Sequence, residues 1–207
     1  RIGAELYLRL GHAAEAIELL ETILRTGALP WARLGLARAQ VEAGSVFQAR
    51  RTLESLVGDH PGYADAYDVM GRVLLDDGQP AQAIDALGRA TALTPHCVSR
   101  RVKLGLLHFY YGDPREARTH LDIAVRLGLN SRVFDLQGLV LQAALQFDRR
   151  DRRALTAALH AMTHERSLAP QSPRLRRFES TIWILLALLE RRVPEAIAGL
   201  NRLLAEA

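Results

Sequence analysis

The chain predicts an all-α fold, an array of antiparallel helix pairs, and three sets of recurring positions predict it. Gly11, Gly44, Gly78 and Gly112 recur every 33 or 34 residues. Ala16, Ala49, Ala83 and Ala117 follow five residues later, and Leu20, Leu53, Leu87 and Leu121 four after those. Small residues at Ala4, Ala37, Gly71 and Gly105 stand seven before each glycine. Self-similarity at this period marks stacked helical hairpins, because one hairpin cannot bury its apolar face alone. Such an array offers surface rather than reactive chemistry, and so points to a binding scaffold.

Each element has a local justification. Every column glycine lies between two apolar-periodic segments, where the left-handed conformation would close the first helix. Ser45 with Gln48, and Asp113 with Glu116, have capping-box spacing at the start of the next helix. Pro80 and Pro114 fall at the first helical position, which needs no amide donor. Pro61 and Pro95 stop the second helices. The small residues before and after each glycine fall where two helices approach closely. Residues 1–130 thus read as four hairpins, the first lacking its opening residues. Beyond Gly128 the register slips. A helix is expected from Arg132 to Phe147, with Val133, Leu136, Val140, Leu141, Ala144 and Leu145 apolar. Another is expected along Leu155, Ala158, Leu159 and Met162. The turn between them, Asp148 to Asp151, has no glycine, and Ala154 stands for Ala117 three residues late. After Pro170 and Pro173 come helices over Thr181–Leu189 and Glu195–Leu204. Residues 131–207 read as two divergent hairpins capping the array, since an end repeat must present one face to water.

The pattern resembles the tetratricopeptide repeat (TPR). Residues 64–97 carry it best, with Tyr67, Met70, Gly71, Gly78, Ala83, Leu87, Ala90 and Pro95. Residues 98–129 follow with Leu104, Gly105, Gly112, Ala117, Leu121 and Ala124, while residues 30–63 hold Arg33 where the family prefers an aromatic. The resemblance implies a right-handed superhelical solenoid whose first helices line a concave groove. A narrower likeness lies in the run from Pro30 to Arg38, in His60-Pro61 and Ala66-Tyr67-Asp68, and in residues 99–105. These are similar to the repeat region of bacterial response regulators that append such an array to a receiver domain. That likeness implies the output or docking module of a two-component signalling protein, from which residues 131–207 depart.

Composition narrows the function classes. The longest apolar run, Ile182 to Leu189, is eight residues, against the roughly 20 that a membrane span needs. Cys97 is the only cysteine, so no internal disulfide forms, and a reducing, cytoplasmic compartment is expected. The chain begins at Arg1 within a helical pattern, as a fragment would. Residues 131–207 hold 12 arginines against 8 acidic residues, which accounts for the whole net charge of +4. Arg149, Arg150, Arg152 and Arg153 cluster at one turn and Arg174, Arg176 and Arg177 at another, a patch able to meet acidic protein or nucleic acid. Interleaved Asp148 and Asp151 favour a solvated end face over nucleic acid.

Chemistry-bearing constellations are sparse. His160 and His164 share a helix face at ligand spacing but lack a third ligand nearby in sequence. Cys97 beside His96 has no evident orienting group, and His108 falls at a packing position. No enzyme activity, cofactor, metal or small-molecule substrate is expected, and the partner is a protein or peptide. Residues three or four apart share a helix face. On the first helices this selects Arg38, then Asp68, Arg72 and Asp76, then Leu106, Phe109 and Tyr110 as the partner-binding strip, with Glu42 beside Arg38. Arginine and aromatic side chains are the usual anchors of such contacts. The family's carboxylate clamp for chaperone tails uses lysines and asparagines, whereas the groove positions here hold Glu5, Arg38, Arg72 and Leu106. Two other readings are an envelope or secretion-assembly subunit and a nucleic-acid-binding helical repeat. The helix over residues 181–189 is apolar round most of its circumference, so it is expected either to be covered on two sides or to self-associate.

Overall fold

The computed structural model of the protein describes residues 2–129 and 136–205, which form twelve α-helices and no strand. They are α1 (Ile2–Arg9), α2 (Ala13–Thr26), α3 (Pro30–Glu42), α4 (Val46–Asp59), α5 (Ala64–Asp76), α6 (Pro80–Leu93) and α7 (Val98–Tyr111). There follow α8 (Pro114–Leu129), α9 (Leu136–Asp148), α10 (Arg152–Leu168), α11 (Pro173–Leu189) and α12 (Val193–Ala205). The expected all-α array of helix pairs is the fold observed. The helices fall into two compact units, Arg1–Asp113 and Pro114–Ala207.

In the first unit the repeating columns do what their sizes suggest. Ala37, Ala49, Leu53, Ala83 and Leu87 are buried in one core with Leu34, Met70, Val73 and Leu104. Ala4, Ala16 and Leu20 are buried in another with Ala32, Leu36 and Ala39. Gly71 marks the closest approach between paired helices. A Cβ there would lie 2.8 Å from Leu87 Cγ and 3.4 Å from the Ala83 carbonyl oxygen. Arg33, at the family's aromatic position, is only 22% exposed and pairs with Asp59 from the end of α4. The Arg33 hydrogen bond holds the Asp59 carboxyl below its usual range.

The hairpin turns share one hydrogen-bonded form. Gly44 N–H donates to the Val41 carbonyl at 3.0 Å and Ser45 N–H to the Gln40 carbonyl at 2.8 Å. Gly78 with Leu75, and Gln79 with Leu74, repeat this at 3.0 and 2.8 Å. This is the Schellman turn, with glycine at positive φ (78° at Gly11, 74° at Gly44 and 71° at Gly78). Gly112 departs from the expectation. Its φ is −130°, and a Cβ would meet His108 Nδ1 at 2.8 Å and Ile84 Cδ1 at 3.2 Å. Glycine is required there for room rather than for handedness. The capping box expected at Ser45 and Gln48 is also absent, since the Ser45 side chain makes no cap bond. The Ser45 N–H that a box would engage already serves the Gln40 carbonyl. Prolines open α3, α6, α8 and α11.

The second unit keeps the turn but changes its residue. Arg150 and Arg191 take positive φ, 58° and 60°. Asp151 N–H donates to the Gln146 carbonyl at 3.0 Å and Arg192 N–H to the Ala187 carbonyl at 2.8 Å. Counting five residues on from Arg150 makes Leu155, not Ala154, the counterpart of Ala117. Leu155 is fully buried, whereas Ala154 is half-buried and gives its N–H to the Asp151 cap at 3.0 Å. Of the helix expected over residues 132–147, residues 132–135 lie outside the described residues. Helix α11 begins at Pro173, eight residues before the expected Thr181, with the Ser172 hydroxyl accepting from Leu175 N–H. Its apolar circumference is covered on two sides. Ile182 and Leu186 join the core of Leu139, Leu155 and Met162, while Ile184 and Ala187 pack with Ala196 of α12.

Candidate functional site

Four first helices of the first unit present side chains to one hollow of about 320 Å³. Helix α1 supplies Glu5, Leu8 and Arg9, and α3 supplies Arg38, Val41 and Glu42. From α5 come Asp68, Val69 and Arg72, and from α7 Lys103. Each trio has the spacing that puts residues on one helix face. Three aliphatic side chains line part of a surface otherwise made of charge.

Most of that charge is already paired. Lys103 Nζ donates to both Asp68 carboxylate oxygens, at 2.8 and 2.9 Å. Arg72 lies 3.2 Å from Glu42 on α3 and 3.8 Å from Asp76 on its own helix. Arg9 stands 3.7 Å from Glu5. The Arg72 and Arg9 pairs are largely exposed, so each contributes little to stability and can be exchanged for contacts with a partner. Arg38 is different: it is exposed and has no ion-pair partner among the described residues.

The strip expected from the sequence is only partly brought together. Arg38, Asp68 and Arg72 line the hollow, and Asp76 touches it through Arg72. Leu106, Phe109 and Tyr110 do not line it. Phe109 and Tyr110 meet edge to face at 5.1 Å, and Tyr110 lies 6.3 Å from Tyr111, forming an exposed aromatic group at the end of α7. The expected strip omits Leu8, Arg9, Val41, Val69 and, on α7, Lys103. Lys103 sits three residues before Leu106, so extending the same face by one turn would have found it.

The other candidates fall elsewhere. Cys97 is the half-buried cap residue of α7, with His96 exposed beside it. His160 and His164 are exposed on α10, and no group of three metal-ligating side chains occurs among the described residues. Arg150 is a turn residue, Arg152 bonds Glu190 at 2.6 Å, and Arg174 lies over the Phe178 ring at 5.3 Å. Hydrogen bonds from Arg152 and then Arg192 hold the Glu190 carboxyl below its usual range. None of the described helices is long and apolar enough to cross a membrane.

Comparison with known proteins agrees with this architecture. A tetratricopeptide-repeat family profile matches residues 8–73. Superkiller complex protein 3 of Mus musculus is 28% identical over 135 residues, covering 61% of this chain but 9% of that much longer protein. A thermophilic TPR protein of Thermus thermophilus is 25% identical, with a TM-score of 0.62 over 88% of this chain and 96% of that one. A tetratricopeptide repeat protein from Parabacteroides merdae is 14% identical, with a TM-score of 0.70 over 99% of this chain and 77% of that one. The narrower likeness to receiver-linked arrays finds no support in these comparisons. Repeat columns, turn geometry, a tetratricopeptide-repeat profile over residues 8–73 and the fold of these neighbours agree that the chain is built as a helical-repeat array of that kind.

Proposed function

We propose that this protein is a non-catalytic scaffold that holds a segment of a partner protein in the hollow of its first unit. The observation that carries the reading is Arg38. It is a cation without a carboxylate, on a surface where Arg9, Arg72 and Lys103 each have one. An acidic residue of the partner supplies the missing charge, and apolar neighbours in the same segment cover Leu8, Val41 and Val69. Asp68, Arg72 and Asp76 set the register of that segment by exchanging their present pairs, and Leu106, Phe109 and Tyr110 extend the surface along α7.

Selection from a displayed peptide library tests this. Peptides recovered on the native protein should carry a carboxylate. Arg38→Glu should weaken them at least tenfold, about 1.4 kcal/mol. Arg51→Glu, an equal charge change at an exposed residue of α4 outside the hollow, should leave them bound. Equal retention by both variants would move the binding surface elsewhere. Within the same reading, the pathway follows from what is encoded upstream. A receiver domain there makes the scaffold a two-component output module, and a signal peptide makes it an envelope assembly subunit.

A further inference from the structure

A hollow of about 370 Å³ lies in the second unit, between α10, α11 and α12. Its apolar lining is Leu159, Trp183 and Leu203. Gly199 makes room for it: a Cβ at that position would lie 3.0 Å from both the Trp183 ring and Ile184 Cγ1. Three arginines, Arg166, Arg176 and Arg202, surround a single acid, Glu179.

That acid is fully engaged. Glu179 Oε2 accepts from Arg166 at 2.5 Å, and Oε1 accepts from the Thr163 hydroxyl at 2.8 Å. The guanidinium groups of Arg176 and Arg202 have no partner among the described residues. Among the described residues one positive charge is therefore neutralised and two are not, beside an indole and two leucines. We infer that this hollow is a docking site for an acidic peptide segment carrying an apolar or aromatic side chain. Its carboxylates pair with Arg176 and Arg202, and its apolar side chain lies against Trp183 and Leu203. Guanidinium groups bind carboxylates through two parallel N–H donors, which fixes direction as well as sign. Nucleic acid fits less well. Single-stranded binders rely on open aromatic faces for base stacking. Here one face of Trp183 lies under Arg192, 5.6 Å from the ring centre, and the ring edge packs on α12 at Gly199. The site stands apart from the Arg38 reading, because no residue is shared between them.

The chain has two tryptophans, so Trp31→Phe leaves Trp183 as the sole indole reporter. In that background, a blocked peptide of alternating glutamate and phenylalanine should change Trp183 emission saturably. The same peptide with lysine in place of glutamate should not. Arg176→Glu with Arg202→Glu should weaken the response at least tenfold, with an unchanged far-ultraviolet circular dichroism melt. Arg153→Glu, an exposed arginine of α10 outside the hollow, should leave it intact. No saturable change up to about 1 mM acidic peptide would overturn the inference. So would an equal response to the lysine peptide, or tighter binding of an oligouridylate than of the acidic peptide.

Discussion

Two glycines in one helix pair should answer the same substitution with opposite signs. Gly71 in α5 and Gly88 in α6 both lie in helix interiors, where glycine to alanine ordinarily stabilises by about 0.5–1 kcal/mol. At Gly88 a Cβ would meet nothing within 4 Å, so Gly88→Ala should realise that gain. At Gly71 it would lie 2.8 Å from Leu87 Cγ and 3.2 Å from Leu87 Cδ1. Leu87 is 5% exposed and lies in the main core, so it cannot swing outward. Overpacking of this kind costs about 1–3 kcal/mol, which exceeds the propensity gain. Gly71→Ala should therefore lose about 1 kcal/mol net, and Gly71→Leu about 3 kcal/mol. Urea unfolding followed by circular dichroism measures all three against the native chain. Adding Leu87→Ala should remove the penalty of Gly71→Ala, because the clash and its partner are then both gone. If Gly71→Ala stabilised as much as Gly88→Ala, the close approach of α5 and α6 at this column would be wrong, and with it the register of the repeats.

The remaining expectations concern the second unit and acid stability. A left-handed L-residue costs about 1–2 kcal/mol, and glycine gives back about 0.4–1 kcal/mol through the unfolded chain. Arg150→Gly and Arg191→Gly should thus each stabilise by about 0.5–1 kcal/mol, while Arg150→Val should destabilise, both read from melting temperature. Leu155→Ala should cost about 2–5 kcal/mol, the toll for a large buried side chain, whereas Ala154→Ser should cost under about 1 kcal/mol. Equal costs would restore Ala154 to the core column. Asp59 and Glu190 have carboxyls held below their ordinary values of 3.8 and 4.5. The stability they contribute is present above those values and is lost as pH falls through the lowered ones. Glu190→Gln should therefore flatten the acid limb of a urea-midpoint titration, and an unchanged limb would count against the Arg152 and Arg192 bonds.

Much of the fold was legible because its signals are local and repeated. Gly44 and Gly78 sit at positive φ, Pro80 opens α6, and Ala49 and Ala83 are buried without a gap, as their spacing implied. Legibility failed where one residue type serves two physical needs. Gly112 occupies the glycine column, yet it is selected by His108 and Ile84 crowding its α-carbon. Ser45 has the composition of a capping box, but its N–H belongs to the turn before it. Arg150 defeats a glycine search because the Schellman turn asks for a left-handed backbone, and an arginine can adopt one at a cost. Without a glycine to mark that turn, the alanine column falls on Ala154 instead of Leu155. With the turn recognised, the columns continue: Ala143 stands seven residues before Arg150 and Ala196 five after Arg191, both buried.

The site was legible as a face but not as an electrostatic surface. Helix geometry alone selected Arg38, Asp68 and Arg72, and the structure brings all three to one hollow. What spacing within a single helix cannot supply is pairing between helices. Arg72 looks like the central cation of the strip, yet Glu42 reaches it from α3 and Asp76 from below. Asp68 looks like an acid on offer, yet Lys103 of α7 closes on it with two bonds. A partner's carboxylate arriving at Arg72 must displace two acids already in place, and one arriving at Arg38 displaces none. Reversing the charge at Arg38 should therefore weaken an acidic segment more than reversing it at Arg72, although the two occupy the same repeat position. Peptides that lose more affinity with Arg72→Glu than with Arg38→Glu would move the anchor from α3 to α5.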